Sequence, residues 1–400
     1  MQFWLLLLVL AATGCDAPID MALEANPERA AAGSPRSVTR LAHYPSLKSR
    51  ALLWSVGLSD VLPVESGATL YRLEYWTTGP EGERTHASGL VAIPSRSPFR
   101  GVVSYQHPTR TDRTDVPSTP SRTALLAAIA FAGHGYVLTA PDYLGLGTSP
   151  GPHPYLHATS EASTVTDLLV AARLLVQSVG REWPEAVFLT GFSQGGHATL
   201  ATQRALEVDP VEGMRVMASA PIAGMYNLSG IQFPIALEGQ SERHSLYLGY
   251  VTGAYARVYG ERLESVIVDA YARVFVNLYD GSRERSEIAA ALPPSPREMF
   301  QPDFLRAYAA GEETWLVRAL ALNDIFDWIP QAPVRFYYGA RDQDSPPADT
   351  HFTVDHMRSR GANVSAVNVG EVDHDEVALI AVPQIRTWFD QVTAGAALPR

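Results

Sequence analysis

The run Thr190-Gly191-Phe192-Ser193-Gln194-Gly195-Gly196-His197 constrains this chain more than any other stretch. It fits G-x-S-x-G, in which a serine at the tip of a tight strand-to-helix turn exposes its hydroxyl to solvent and to a base. The flanking glycines have a steric reason. So sharp a turn brings backbone segments together and can demand φ > 0, which residues with a Cβ tolerate poorly. The context agrees: Ala186 to Thr190 is a short apolar, β-prone run ending at the motif, and Gly195 to Val208 opens a helix-compatible segment rich in alanine and leucine.

A chain of 400 residues could form two domains or one large α/β domain carrying an insertion. With 46% hydrophobic and 18% charged residues it can bury a sizeable core. The net charge of -11 argues against a nucleic-acid partner, because phosphate binding needs a concentrated basic surface. Cys15 is the single cysteine, which excludes an intrachain disulfide and thiol metal clusters. Met1 to Leu10 is almost wholly apolar and leads into Ala11-Ala12-Thr13-Gly14-Cys15, small residues of the kind found at cleavage sites. The run is too short to span a bilayer, so residues 1–15 read as a signal peptide and the protein as exported. Gly14-Cys15 resembles the bacterial lipobox, whose cysteine is lipidated and becomes the mature N-terminus. Ala12 stands where leucine is usual there, and no basic residue precedes the apolar run. Cys15 is therefore the candidate lipidation site and membrane tether of a cell-envelope lipoprotein, with a periplasmic or secreted protein as the alternative.

Residues 16–40 lack apolar periodicity and read as a flexible tether, with folded sequence beginning near Leu41. Leu70 to Thr77 and Thr85 to Ile93 flank Gly79-Pro80-Glu81-Gly82 as an antiparallel hairpin would. Strand-like Gly101 to Tyr105, a helix near Pro120 to Ala132, the strand Tyr136 to Ala140, a helix over Ser160 to Val179 and the strand into Ser193 make a βαβαβ run. Such a run implies parallel strands with right-handed crossovers. Arg215 to Gly224 adds a strand, after which the rhythm stops for about a hundred residues. Residues 227–329 read as an inserted helical cap, including a helix over Glu264 to Leu278, between core segments 41–226 and 330–400. The rhythm resumes with the strand Val334 to Tyr338, a helix near Ala348 to Arg360, the strand Val364 to Val369 and a helix from Asp375 to Val392.

A serine hydroxyl is a poor nucleophile until an oriented base takes its proton. Where the serine sits on such an elbow, its partners follow in the chain order serine, acid, histidine. Of eleven histidines, three lie beyond the strand ending near Gly339. His351 and His356 fall within an expected helix. His374 lies in the loop Gly370 to Asp375 after the last strand, at the edge where open α/β sheets build their sites, and is the candidate base. For the acid, Gly339 to Pro346 resembles the G-x-x-D-x-x-x-P run that carries the acid in many hydrolases with such an elbow; the resemblance implies Asp342 in preference to Asp344, whose other role is a turn or cap carboxylate. Negative charge develops on the substrate oxygen, so two backbone donors should face it. One is the amide of Gln194. The other is implied by a resemblance of Gln106-His107-Pro108-Thr109 to the His-Gly-x loop of many such hydrolases; Pro108 replaces that glycine and has no N–H, so Thr109 is the candidate. His107, Tyr143 and Tyr155 are candidate substrate contacts in loops bordering the site, with structural loop roles as the alternative.

Ser104-Tyr105-Gln106-His107, Ala140 to Gly147, Gly191 to Gly196, Tyr338 to Asp342 and Asp373-His374 together resemble the α/β-hydrolase superfamily, and within it the secretory lipases and related bacterial esterases. The resemblance implies a mostly parallel sheet flanked by helices, with a helical insertion before the acid. It implies cofactor-free hydrolysis of carboxylic esters with an apolar acyl part, on a small-molecule or lipid substrate. An aspartate at the elbow, as dehalogenase and epoxide hydrolase chemistry requires, is absent. A peptidase of the same fold and a non-catalytic binding module remain the alternatives, although such modules usually lack a triad member.

Overall fold

The hairpin arms pair in register from Ala68↔Pro94 to Thr78↔Arg84, and the other strands assemble beside them. The computed structural model describes residues 31–119 and 122–395. The proposed signal peptide, Cys15 and residues 16–30 lie outside them. Among the described residues the nine strands are β1 (Pro35–Tyr44), β2 (Ala68–Thr78), β3 (Arg84–Pro94), β4 (Gly101–Gln106), β5 (Tyr136–Pro141), β6 (Ala186–Phe192), β7 (Arg215–Ile222), β8 (Val334–Tyr338) and β9 (Val364–Asn368). They form one sheet ordered β1-β2-β3-β5-β4-β6-β7-β8-β9. The β1, β2 and β3 pairings are antiparallel and the remainder parallel. β4 to β6 are buried almost throughout, as strands covered on both faces must be.

Helices α1 (Ser46–Ser55), α2 (Arg122–Ala132), α3 (Ala158–Ser178) and α4 (Gln194–Val208) connect the first strands. The chain then runs through α5 (Phe233–Leu237), α6 (His244–Val258), α7 (Asp269–Leu278), α8 (Arg285–Ala290), α9 (Pro302–Ala309) and α10 (Trp315–Leu322) before β8. Helix α11 (Pro347–Ser359) and helix α12 (His374–Thr393) flank β9. β4 pairs with β5 on one side and β6 on the other, both parallel, so strand order reverses there. A crevice opens beyond the C-terminal ends of strands at such a switch point.

The segment between β7 and β8 has its own apolar cluster, including Phe233, Tyr250, Phe275 and Phe304, which also takes in Tyr155, Leu156 and Met225. Its entry is fixed by Asp349 on α11, whose carboxylate accepts from the amides of Tyr226 (2.8 Å) and Asn227 (3.1 Å) and from the Gln232 side chain (2.7 Å). Burial pushes the Asp349 pKa up to about 6.

Three boundaries differ from the sequence reading. Among the described residues the first strand begins at Pro35, inside the expected tether: β1 is an edge strand in which only Val38 is buried, so it lacks the apolar alternation of a half-buried strand. α7 starts at Asp269 rather than Glu264, because Leu263–Ser265 form only a short 3-10 turn, after which Ile267 bridges to Phe300 and Val268 is extended. His374, expected within a loop, is the first residue of α12.

Candidate active site

At the elbow Ser193 has φ 57° and ψ −120°, a strained conformation for a residue with a side chain. Its amide donates to the carbonyl of Ile222 (2.9 Å), and its carbonyl accepts from Gly196 (2.8 Å). The motif glycines are close-approach residues. A β-carbon on Gly195 would lie 2.0 Å from the carbonyl oxygen of Gln106, and one on Gly196 would lie 2.7 Å from the Cα of Gly224. The serine is thereby pressed outward at the head of α4.

The base and acid arrive from two adjacent loops stitched to each other. Ala340 donates to the carbonyl of Gly370 (2.9 Å) and Arg341 to that of Val372 (3.1 Å). This brings His374 Nε2 to 2.9 Å from Ser193 Oγ and His374 Nδ1 to 2.8 Å from Asp342 Oδ2. Asp342 Oδ1 accepts from the amides of Asp344 (3.0 Å) and Ser345 (2.8 Å), which fixes the carboxylate plane. All three groups are buried, with exposures of 4% for Ser193, 3% for Asp342 and 6% for His374. Burial opposes a charged imidazolium. The hydrogen bond and charge of Asp342, joined by the charges of Asp344 and Asp375, outweigh it and hold the His374 pKa above its ordinary value.

Asp344 faces away from the ring. Its carboxylate takes the Ser241 hydroxyl and Arg243 Nη1 (2.8 Å), and Arg243 also reaches Asp375 (3.0 Å). This ionic tie between the inserted segment and the residue beside the base was not read from the sequence. Arg243 lies about a hundred positions from Asp344, in a stretch with no distinctive pattern. Asp373 occupies the cap position of α12 without a side-chain cap bond, and His351 and His356 lie on α11.

The remaining candidates are built into the walls. His107 is buried, with Nδ1 2.7 Å from the carbonyl of Pro108 and Nε2 3.2 Å from that of Asp142. Burial and the charge of Arg110 push its pKa down to about 3. Tyr143 is buried and donates to the carbonyl of His107 (3.3 Å). Tyr155 is buried, stacks on Tyr250 with ring centroids 4.4 Å apart, and bonds Thr109 Oγ1 (2.8 Å). These three side chains thus brace the loop that presents Thr109 rather than lie open to a bound molecule. Gln194, the first residue of α4, has no intrahelical acceptor for its amide. Among the described residues, no group of three or more His, Cys, Asp or Glu could hold a metal ion.

A polar depression of about 430 Å³, lined by Arg243, Arg341, Asp373 and Asp375, reaches His374. A small apolar cavity of about 40 Å³ lies under α5 and α6 between Met225, Phe233 and Leu248. A larger depression of about 850 Å³, around Arg173 and Trp183, lies at the N-terminal end of β6, the wrong edge of the sheet for this chemistry.

Solved structures share this architecture over nearly the whole chain. A protein from Legionella pneumophila is 27% identical, covers 91% of this chain and 100% of its own, and superposes with a TM-score of 0.84. The rice cell wall degrading esterase LipA from Xanthomonas oryzae is 26% identical over 91% of this chain and 97% of its own, at a TM-score of 0.78. Candida antarctica lipase A in its closed state, at 13% identity over 92% and 84% and a TM-score of 0.70, shares the fold alone. No protein-family model matches the chain, nor does any curated protein sequence. The chain has the α/β-hydrolase fold; it is similar to the Legionella protein and to the esterase LipA, and it shares the fold with the lipase.

Proposed function

We propose that this protein is an exported serine hydrolase of carboxylic esters. Ser193 Oγ attacks the ester carbonyl carbon while His374 Nε2 takes its proton, and Asp342 holds the Nδ1–H side of the ring and stabilises the imidazolium. The tetrahedral oxyanion accepts from the Gln194 amide, at a helix N-terminus where negative charge is favoured, and from the amide of Thr109. Nε2 returns the proton to the departing alcohol. Water then repeats the attack on the acyl-enzyme and frees the acid and Ser193. The observation carrying this reading is the unbroken hydrogen-bond chain from Ser193 through His374 to Asp342, at 2.9 and 2.8 Å. The esterase and lipase among its structural neighbours support esters as the substrate class.

A fluorophosphonate probe should label the wild-type protein and not Ser193→Ala; equal labelling of both moves the nucleophile elsewhere. A panel of p-nitrophenyl esters should be turned over. Turnover confined to peptide amides would instead make the protein a peptidase. For localisation we propose lipidation at Cys15, so that Cys15→Ser releases from the membrane fraction a protein otherwise held there.

A further inference from the structure

The motif's last residue, His197, has no part in the chain from Ser193 to Asp342, yet it sits in the first turn of the nucleophile helix α4, fully buried at 0% exposure. Its Nδ1 lies 2.6 Å from Glu161 Oε2 on α3, and its Nε2 lies 2.9 Å from the backbone carbonyl of Asn323, following α10. A carbonyl can only accept, so Nε2 carries a proton. The short Nδ1 contact to the carboxyl group, itself 1% exposed, holds a second. Wherever that proton rests, the pair is neutral as a whole.

The other oxygen of Glu161 accepts from Gln194 Nε2 at 2.8 Å. The same Nε2 also meets His153 Nε2 at 2.8 Å. His153 Nδ1 donates to the carbonyl of Leu144 (2.7 Å), and burial lowers the pKa of this ring to about 4, so its Nε2 is a bare acceptor. Both N–H bonds of the Gln194 amide group are therefore pinned, and Gln194 Oε1 is left buried without a partner. The residue so fixed is the one whose backbone N–H faces the developing oxyanion in the reading above.

We infer that His197 is a positioning residue for catalysis: its proton neutralises Glu161, which anchors Gln194, so that the anchor adds no negative charge behind the oxyanion site. The inference rests on the serine-hydrolase reading. A bare carboxylate in the low-dielectric interior one side chain away from the oxyanion would oppose the charge that forms in the transition state. Substrate in its ground state carries no such charge, so the effect falls on kcat and leaves KM nearly unchanged.

The test compares the full chain with His197→Gln, Glu161→Gln and the double variant, using steady-state hydrolysis of a p-nitrophenyl ester. H197Q is expected to lose kcat by at least about tenfold at unchanged KM. E161Q/H197Q, which removes the uncompensated charge, should recover most of that loss although it carries one more substitution. E161Q alone should keep more kcat than H197Q. Should H197Q fail to fold, as circular dichroism and thermal melting would report, E161Q and the double variant still decide: both must exceed one-tenth of wild-type kcat. A double variant no better than H197Q, or an E161Q loss beyond tenfold, overturns the charge-compensation role. Wild-type protein inert toward both esters and the fluorophosphonate probe overturns the reading beneath it instead.

Discussion

Replacing Asp342 by asparagine changes one atom, and the structure says what that atom does. Asp342 Oδ1 accepts from two backbone amides, those of Asp344 and Ser345, so an NH2 group cannot sit there without facing two N–H donors. The asparagine oxygen therefore keeps that place, and its NH2 takes the position of Oδ2, 2.8 Å from His374 Nδ1. A donor there forces Nδ1 to accept and moves the ring proton to Nε2, 2.9 Å from Ser193 Oγ, where it blocks proton abstraction. The expected loss is on the order of 10⁴ in kcat, about 5 kcal/mol of transition-state stabilisation, with KM little changed. Asp344→Asn is the control. Its carboxylate bonds Ser241 and Arg243 rather than the ring, so D344N should lose less than about tenfold. Initial rates on a short-chain p-nitrophenyl ester at neutral pH measure both, with circular dichroism to show that each variant folds. A D342N enzyme within tenfold of wild type, beside a D344N enzyme reduced a thousandfold, would refute the reasoning and transfer the acid role to Asp344.

Three further outcomes are expected. Ester hydrolysis needs neutral His374, so a raised pKa places the acid limb of kcat/KM above the ordinary histidine value; Asp375→Asn removes one of the raising charges and should move that limb to lower pH, an upward shift being the contrary result. Gly195→Ala puts a β-carbon 2.0 Å from the carbonyl oxygen of Gln106, which strand pairing holds in place; it should cost at least about 2 kcal/mol in urea unfolding and most of the activity, and wild-type stability would count against the close approach. Asp167, buried and bonded to Thr77 Oγ1 at 2.6 Å, has its pKa pushed up to about 6 by burial. The folded protein thus binds its proton more tightly than the unfolded chain, and stability falls as pH rises from about 4 to about 6. Asp167→Asn removes that fall, so its advantage should grow over this range towards about 3 kcal/mol at pH 7, whereas a pH-independent difference would contradict it.

The elbow, the hairpin and the βαβαβ run were legible in the sequence because each is a local pattern: glycines where backbones touch, period-2 strands, and apolar residues at helical spacing. The chain order of Ser193, Asp342 and His374 was legible too, because each side chain lies shortly after a recognisable strand, His374 at the head of α12. Burial and pairing were not. Val38 alone marks β1 as part of the sheet, and that strand exists because β2 offers it an edge. Tyr143 and Tyr155 read equally well as pocket walls or loop braces until the stack on Tyr250 and the bonds to His107 and Thr109 placed them inside.

By itself, then, the sequence determined the kinds of element, their order and a serine on a forced turn, since those follow from backbone sterics and from apolar spacing within a few residues. Only the tertiary structure decided which carboxylate faces the imidazole, which two Arg243 ties together and which one His197 shares a proton with. Those choices are set by side chains 32 to 181 positions apart meeting at hydrogen-bond distance, and no local pattern encodes such a distance.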